Sequence, residues 1–169
     1  PEQAAYHFMS GYTAKVEGTE IGVTEPQATF STCFGAPFMP RHPSVYADLL
    51  STKIQENDAQ CWLINTGWIA GGADASSRIK ISWTRTLLNA ALNGDLDNVV
   101  FVKDERFGFE VPTTCEGVPD SILQPRETWE DKTRFDNVAN LLAQMFIENF
   151  EQYASGCSKK VRDSGPKQI

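Results

Sequence analysis

The sequence predicts a mixed α/β domain, and three observations predict it. Stretches with apolar residues at helical spacing alternate with short strand-like runs, with glycine- or proline-bearing turns between them. At 169 residues the chain has the size of one ordinary domain and is long enough to bury a core. Hydrophobic residues at 41% and charged residues at 22% mark a globular composition and not a disordered one.

Residues 4–9, Ala-Ala-Tyr-His-Phe-Met, form a short apolar run that reads as a buried strand. Residues 18–35 show no periodicity; two early glycines and several threonines suit a hinge-bearing lid better than a linker. Pro43-Ser44 opens a helix in which Val45, Leu49, Leu50 and Ile54 recur at 3–4 spacing, ending near Asn57. Cys61-Trp62-Leu63-Ile64-Asn65 reads as a short buried strand closed by Thr66-Gly67. After a glycine-rich stretch at 67–72, Arg78-Ile79-Lys80-Ile81-Ser82 alternates with period two. Trp83-Thr84-Arg85 then leads into a helix with Leu87, Leu88, Ala91 and Leu92 on one face, ended by Asn93-Gly94. Residues 99–102 and 107–111 are two further strands, and 112–125, with three prolines, is expected to be irregular. Residues 136–153 form an amphipathic helix with Val138, Leu141, Leu142, Met145, Phe146 and Phe150 in its period, ended by Gly156. The tail at 158–169 is polar and is expected to fray.

Net charge and sequence ends restrict the function. A net charge of −7 argues against non-specific nucleic-acid binding, which needs a basic surface to displace counterions. No apolar run approaches the roughly 20 residues that span a bilayer. The first residues, Pro-Glu-Gln, lack the basic-then-apolar pattern of a signal peptide, and Lys167-Gln168-Ile169 is not a peroxisomal address. A cytosolic protein is expected, carrying its four scattered cysteines (Cys33, Cys61, Cys115, Cys157) as reduced thiols. The chain starts at Pro1 with a motif that reads as mid-domain, so a piece of a longer protein is expected.

Few residues point to chemistry on their own. Gly67-Trp68-Ile69-Ala70-Gly71-Gly72 has the character of a phosphate-cradling turn but lacks GxxxxGK[ST] spacing. A guanidinium such as Arg78 can lie flat on an adenine, and a hydroxyl such as Thr84 can bond a base edge. Without context they read as a strand arginine and a helix N-cap. His7 reads as a core residue and His42 as a surface residue at a helix start, and no nucleophile–base or carboxylate pair stands out.

Taken together, the blocks of this chain resemble the C-terminal part of ATP-dependent phosphoenolpyruvate carboxykinases. The resemblance runs through Tyr6-His7-Phe8-Met9-Ser10-Gly11-Tyr12-Thr13-Ala14-Lys15, Glu17-Gly18-Thr19-Glu20, Gly22-Val23-Thr24-Glu25-Pro26 and Phe30-Ser31-Thr32-Cys33-Phe34-Gly35-Ala36-Pro37-Phe38. It continues in His42-Pro43, Leu63-Ile64-Asn65-Thr66-Gly67-Trp68, Arg78-Ile79, Thr84-Arg85, Pro112, Gly117-Val118-Pro119 and Phe146-Ile147-Glu148-Asn149-Phe150. It implies that residues 1–157 are the C-terminal portion of a nucleotide-binding domain, followed by the tail. The implied reaction decarboxylates oxaloacetate and phosphorylates the enolate with ATP, giving phosphoenolpyruvate, ADP and CO2 with the help of Mg2+ and Mn2+. The resemblance assigns Arg78, Ile79 and Thr84 to the ATP site and a mobile lid to residues 13–36. It places the phosphate loop, the metal ligands and the oxaloacetate-binding arginine upstream, in the rest of the same enzyme chain, so no catalytic or metal-binding residue is expected here and the segment alone is expected to be inactive. Two positions depart from the family pattern. Ile21 stands where the lid usually carries arginine, and Ser76-Ser77-Arg78 stands where Gly-Lys-Arg is usual. These departures leave a second reading, a non-catalytic interaction module that keeps the fold.

Overall fold

The computed structural model describes residues 1–15, 21–72 and 77–169. Glu17-Gly18-Thr19-Glu20 of the expected lid, and Ser76, lie outside the described residues. Helices combine with three two-stranded antiparallel sheets, in keeping with the mixed α/β class. The chain divides into two compact units, one made of Pro1–Cys61 with Leu142–Gln168 and the other of Trp62–Leu141 with Ile169.

The first unit begins with α1 (Glu2–Ser10), a helix where the apolar run predicted a strand. Its buried residues include the pairs Ala5/Met9 and Tyr6/Ser10, each four apart, a period that six residues are too few to reveal. Gly11 ends the helix in the left-handed conformation (φ 59°), its N–H donating to the His7 carbonyl. The chain then forms a hairpin of β1 (Tyr12–Lys15) and β2 (Gln27–Phe30), in the register Tyr12↔Phe30 to Lys15↔Gln27. The Ser31 N–H donates to the Gly11 carbonyl at 2.9 Å and ties the hairpin base to α1.

Two single 3-10 turns follow (Thr32–Phe34 and Ala36–Phe38), then α2 (Pro43–Glu56), with proline in its first turn and the His42 ring accepting the Ser44 N–H. Predicted and observed boundaries of α2 agree within a residue. The core gathers around α6 (Lys132–Ala154), whose residues from Leu142 onward belong to this unit. The Tyr6 ring stacks on Phe150 at 4.0 Å and its hydroxyl donates to the Phe146 carbonyl at 3.3 Å. The Phe146 ring meets His7, Tyr12 and Phe30 at 5.1–5.3 Å. The tail is not frayed. It forms α7 (Lys159–Asp163), capped by the Ser158 hydroxyl, with Val161 and Pro166 buried and Gly165 against the Tyr6 ring.

In the second unit β3 (Trp68–Ile69) pairs with β4 (Ser77–Arg78), which is shorter than the alternation at 78–82 suggested because the helix α3 (Ile81–Asn93) starts at Ile81. Gly94 ends α3 in the left-handed conformation, as its place after Asn93 predicted. β5 (Phe101–Lys103) and β6 (Glu110–Pro112) form a hairpin, with the Asp104 carboxylate accepting the Arg106 and Phe107 N–H groups in the turn. The proline-rich stretch carries two one-turn helices, α4 (Asp120–Leu123) and α5 (Pro125–Thr128), because Pro119 and Pro125 fall at helix starts, where a missing N–H is harmless. Ala90, Leu96, Cys115, Val118 and Leu123 form the core, with Trp83 and Leu87 packed against it. Asp136, near the start of α6, accepts from both Arg106 and Arg126, and the Arg126 hydrogen bonds hold its carboxyl below the usual carboxylate range.

Candidate functional site

The β3–β4 hairpin brings together two features that the sequence presents separately. The glycine-rich turn begins where the Gly67 carbonyl accepts the Ile79 N–H at 2.9 Å, and Trp68 pairs directly with Arg78. The Arg78 guanidinium lies over the Trp68 indole, 5.4 Å from its centre. One face of the planar cation is therefore taken by an aromatic ring, while the exposed position of Arg78 keeps it open to a ligand.

Three residues further on, α3 begins with Lys80 as its N-cap and no side-chain oxygen capping its first turn. The N–H groups at this end carry the positive pole of the helix. The Lys80 ammonium sits 4.6 Å from the Trp83 ring centre. Among the described residues none of Arg78, Lys80 and Arg85 forms an ion pair with a carboxylate, in a chain whose net charge is −7. Uncompensated cations at an uncapped helix start attract anions such as phosphate.

Thr84 lies one turn into α3 and is not its N-cap, contrary to the simplest reading of the sequence. Its hydroxyl reaches back to the Lys80 carbonyl at 3.4 Å, long for an O–H···O bond, so a better-placed acceptor can take that proton. Ile79 is half-buried between Arg78 and the helix. Arg78, Ile79 and Thr84 thus follow one another from the end of β4 into the first turn of α3, and the Trp68↔Arg78 register adds the indole that the sequence does not place beside them.

A cavity of about 680 Å3 in the same unit lies elsewhere along α3, lined by Thr86, Asn89, Asp95, Leu96, Cys115 and Glu116 among others, and by none of Arg78, Ile79 and Thr84. Asp95 and Glu116 at its wall repel anions and, after burial, help to raise the Cys115 thiol. It does not suit a phosphate ligand.

In the first unit the stretch 13–36, for which a lid is expected, contains most of the β1–β2 hairpin. Its base is fixed by Gly11 and the aromatic ring cluster, whereas Ile21, toward its tip, is fully exposed. After the hairpin Cys33 and Phe34 both hold positive φ (52° and 56°), a strained pair of the kind that a chain keeps where geometry matters. The Thr32 and Tyr153 hydroxyls bond there. His7 is a core residue in contact with Tyr6 and Phe146, and burial lowers its pKa to about 4, while His42 serves its helix start. All four cysteines are free thiols. Among the described residues no three His, Cys, Asp or Glu side chains gather to hold a metal ion, and no helix is long and apolar enough to cross a membrane.

Residues 1–121 match the family model described as phosphoenolpyruvate carboxykinase. The chain is 56% identical over 163 residues to the phosphoenolpyruvate carboxykinase (ATP) of Geobacter metallireducens, a match covering 96% of this chain and 31% of that protein. It is 57% identical over 166 residues to the enzyme of the same name from Sinorhizobium fredii (98% of this chain, 31% of that protein). With that of Thermus thermophilus it shares 54% over 167 residues (99% and 32%). The chain spans about a third of the length of these curated relatives. On the family match and these identities, the chain belongs to the ATP-type phosphoenolpyruvate carboxykinase family.

Proposed function

We propose that this chain supplies the adenine end of the nucleotide site and the lid of an ATP-dependent phosphoenolpyruvate carboxykinase. The whole enzyme converts oxaloacetate and ATP to phosphoenolpyruvate, ADP and CO2, as a gluconeogenic enzyme of the cytosol. The observation that carries this reading is the pair Arg78 and Lys80. Each rests on an indole, neither is neutralised by a carboxylate among the described residues, and both stand just before an uncapped helix start in an acidic chain.

In this reading Arg78 stacks its free face on the adenine, Ile79 gives the base an apolar neighbour, and the Thr84 hydroxyl bonds the nucleotide. Residues 13–36 act as a mobile lid whose closure excludes water, which protects an enolate from protonation. Ile21 leaves the tip without the cation usual in the family, so closure here relies on shape more than on attraction to phosphate. Mg2+ and Mn2+, when bound, supply phosphate neutralisation and polarisation of the enolate oxygen. Their ligands and those of oxaloacetate belong to the rest of the enzyme chain, and the isolated chain is inactive.

The test uses a chimera in which this chain replaces the matching segment of the Geobacter metallireducens enzyme. Thr84→Val raises the KM for ATP by about tenfold, the worth of one hydrogen bond near 1.4 kcal/mol, and leaves the KM for oxaloacetate unchanged. An unchanged KM for ATP removes Thr84 from the site. A folded chimera that binds no ATP by calorimetry supports the interaction-module reading instead.

A further inference from the structure

The glycine-rich turn after β3 is pinned by a residue 58 positions further along the chain. Ala70 holds a positive φ of 66°, a conformation that a Cβ disfavours and that persists only where the surroundings fix it. Its N–H donates to the Thr128 hydroxyl at 3.2 Å, and that hydroxyl donates its own proton to the Pro125 carbonyl at 2.7 Å. Thr128 ends α5, and α5 is itself fixed to the start of α6. The Arg126 guanidinium donates twice to the Asp136 carboxylate, at 3.1 and 3.0 Å, and the Lys132 ammonium donates to the Arg126 carbonyl at 2.9 Å.

Ala70 follows β3 directly, so Thr128 holds the end of the strand that carries Trp68, the indole behind Arg78. The other end is held by the Asn65 side chain, which accepts the Gly67 N–H, and by the Gly67 carbonyl, which accepts the Ile79 N–H. Between these anchors the β3–β4 ladder has only the pairs Trp68↔Arg78 and Ile69↔Ser77, and so short a hairpin is a weak clamp by itself. We propose that Thr128 is a positioning residue for the adenine end of the nucleotide site. Through Ala70 it sets where β3 carries Trp68, and hence where Arg78 meets the base. The inference rests on the reading of Arg78 as an adenine contact. Thr128 itself touches no nucleotide in this role; its hydroxyl matters because it accepts one bond and donates the other.

The experiment is steady-state kinetics of the Geobacter metallireducens chimera, with ATP and oxaloacetate varied in turn. Thr128→Val has nearly the same shape and makes neither bond. It raises the KM for ATP about three- to tenfold, the worth of one hydrogen bond, and leaves kcat and the KM for oxaloacetate nearly unchanged. Thr128→Ser keeps the hydroxyl and restores the KM for ATP. A variant that only loses stability lowers the active fraction, and so kcat, without moving the KM for ATP. That pattern overturns the proposal, as does a serine variant that behaves like the valine one. Should the valine variant not fold, Thr128→Ala, which cannot crowd its neighbours, carries the same expectation. Thr84→Val separates this inference from the reading beneath it. A KM for ATP raised by Thr84→Val but not by Thr128→Val overturns the positioning role alone, and a KM that neither variant moves overturns both.

Discussion

The guanidinium of Arg78 rests on the indole of Trp68, its direct partner across the β3–β4 ladder, with 5.4 Å between the charged carbon and the ring centre. A planar cation backed by a planar ring is already oriented before a base arrives, so binding costs it less side-chain entropy. Trp68→Leu keeps the apolar bulk and removes the π face. In the chimera it raises the KM for ATP about two- to fivefold, matching the roughly 0.5–1 kcal/mol of an exposed cation–π contact. Steady-state kinetics with ATP varied reads this, and an unchanged constant shows that Arg78 needs no backing.

His7 makes the first unit sensitive to acid. Burial lowers its folded pKa to about 4, against about 6.5 in an unfolded chain. Between those values the unfolded chain binds more protons, so stability present above pH 6.5 is lost as pH falls toward 4. The loss reaches about 3 kcal/mol at 1.36 kcal/mol per pKa unit. Urea unfolding at pH 7, 5.5 and 4.5 shows this decline, and His7→Gln shows a shallower one. Parallel curves for the two proteins assign the decline to other groups.

Gly11 fixes the hairpin to α1. Its φ of 59° strains any residue with a Cβ, and that Cβ would lie 1.7 Å from the Ser31 carbonyl oxygen, a backbone atom that cannot swing away. Gly11→Ala therefore costs more than about 2 kcal/mol, beyond the left-handed penalty alone. Gly22→Ala is the control, since φ is 86° but the space is open, and it costs about 1 kcal/mol. Equal melting temperatures for the two variants contradict the close approach.

Cys61 is the reactive thiol. It is exposed, whereas Cys33 and Cys115 are buried, Cys157 is half-buried, and burial raises the pKa of all three. A maleimide at pH 7 modifies one cysteine quickly and the other three at least about tenfold more slowly, as thiolate chemistry and access require. Peptide mapping identifies the site, and fast labelling of Cys115 contradicts the packing of the second unit.

Where periodicity was long, the sequence revealed the structure. α2, α3 and α6 repeat their apolar residues over roughly two to four turns each, and proline or glycine stands at or just beyond an end of each, where helix ends favour them. The misreadings share a cause in windows too short to show a period. Residues 4–9 are apolar on too many sides to separate helix from strand, and 61–65 have strand composition without a partner strand among the described residues. The prolines of 112–125 read as breakers although two of them start helices. The tail looked polar because its anchors, Val161 and Pro166, are single residues. Of the proposed site, Arg78, Ile79 and Thr84 rest on the family resemblance alone. Trp68 and Lys80 were missed because their contacts depend on hairpin register and on where α3 starts, although an indole ten residues before a candidate arginine, in a glycine-turned hairpin, was a usable sign.

The contact between Tyr6 and Gly165 joins the two ends of the chain, with all of Trp62–Leu141 threaded between them. On the ribosome, α1 and the hairpin emerge before Phe146 and Phe150, the residues they pack against. At roughly 5–20 residues per second they wait on the order of ten seconds with half a core. The intervening unit owns its core within one unbroken stretch and can close before the first is finished. Within this stretch birth order and folding order therefore run opposite ways, and α1 and its hairpin are the part of it most in need of a chaperone.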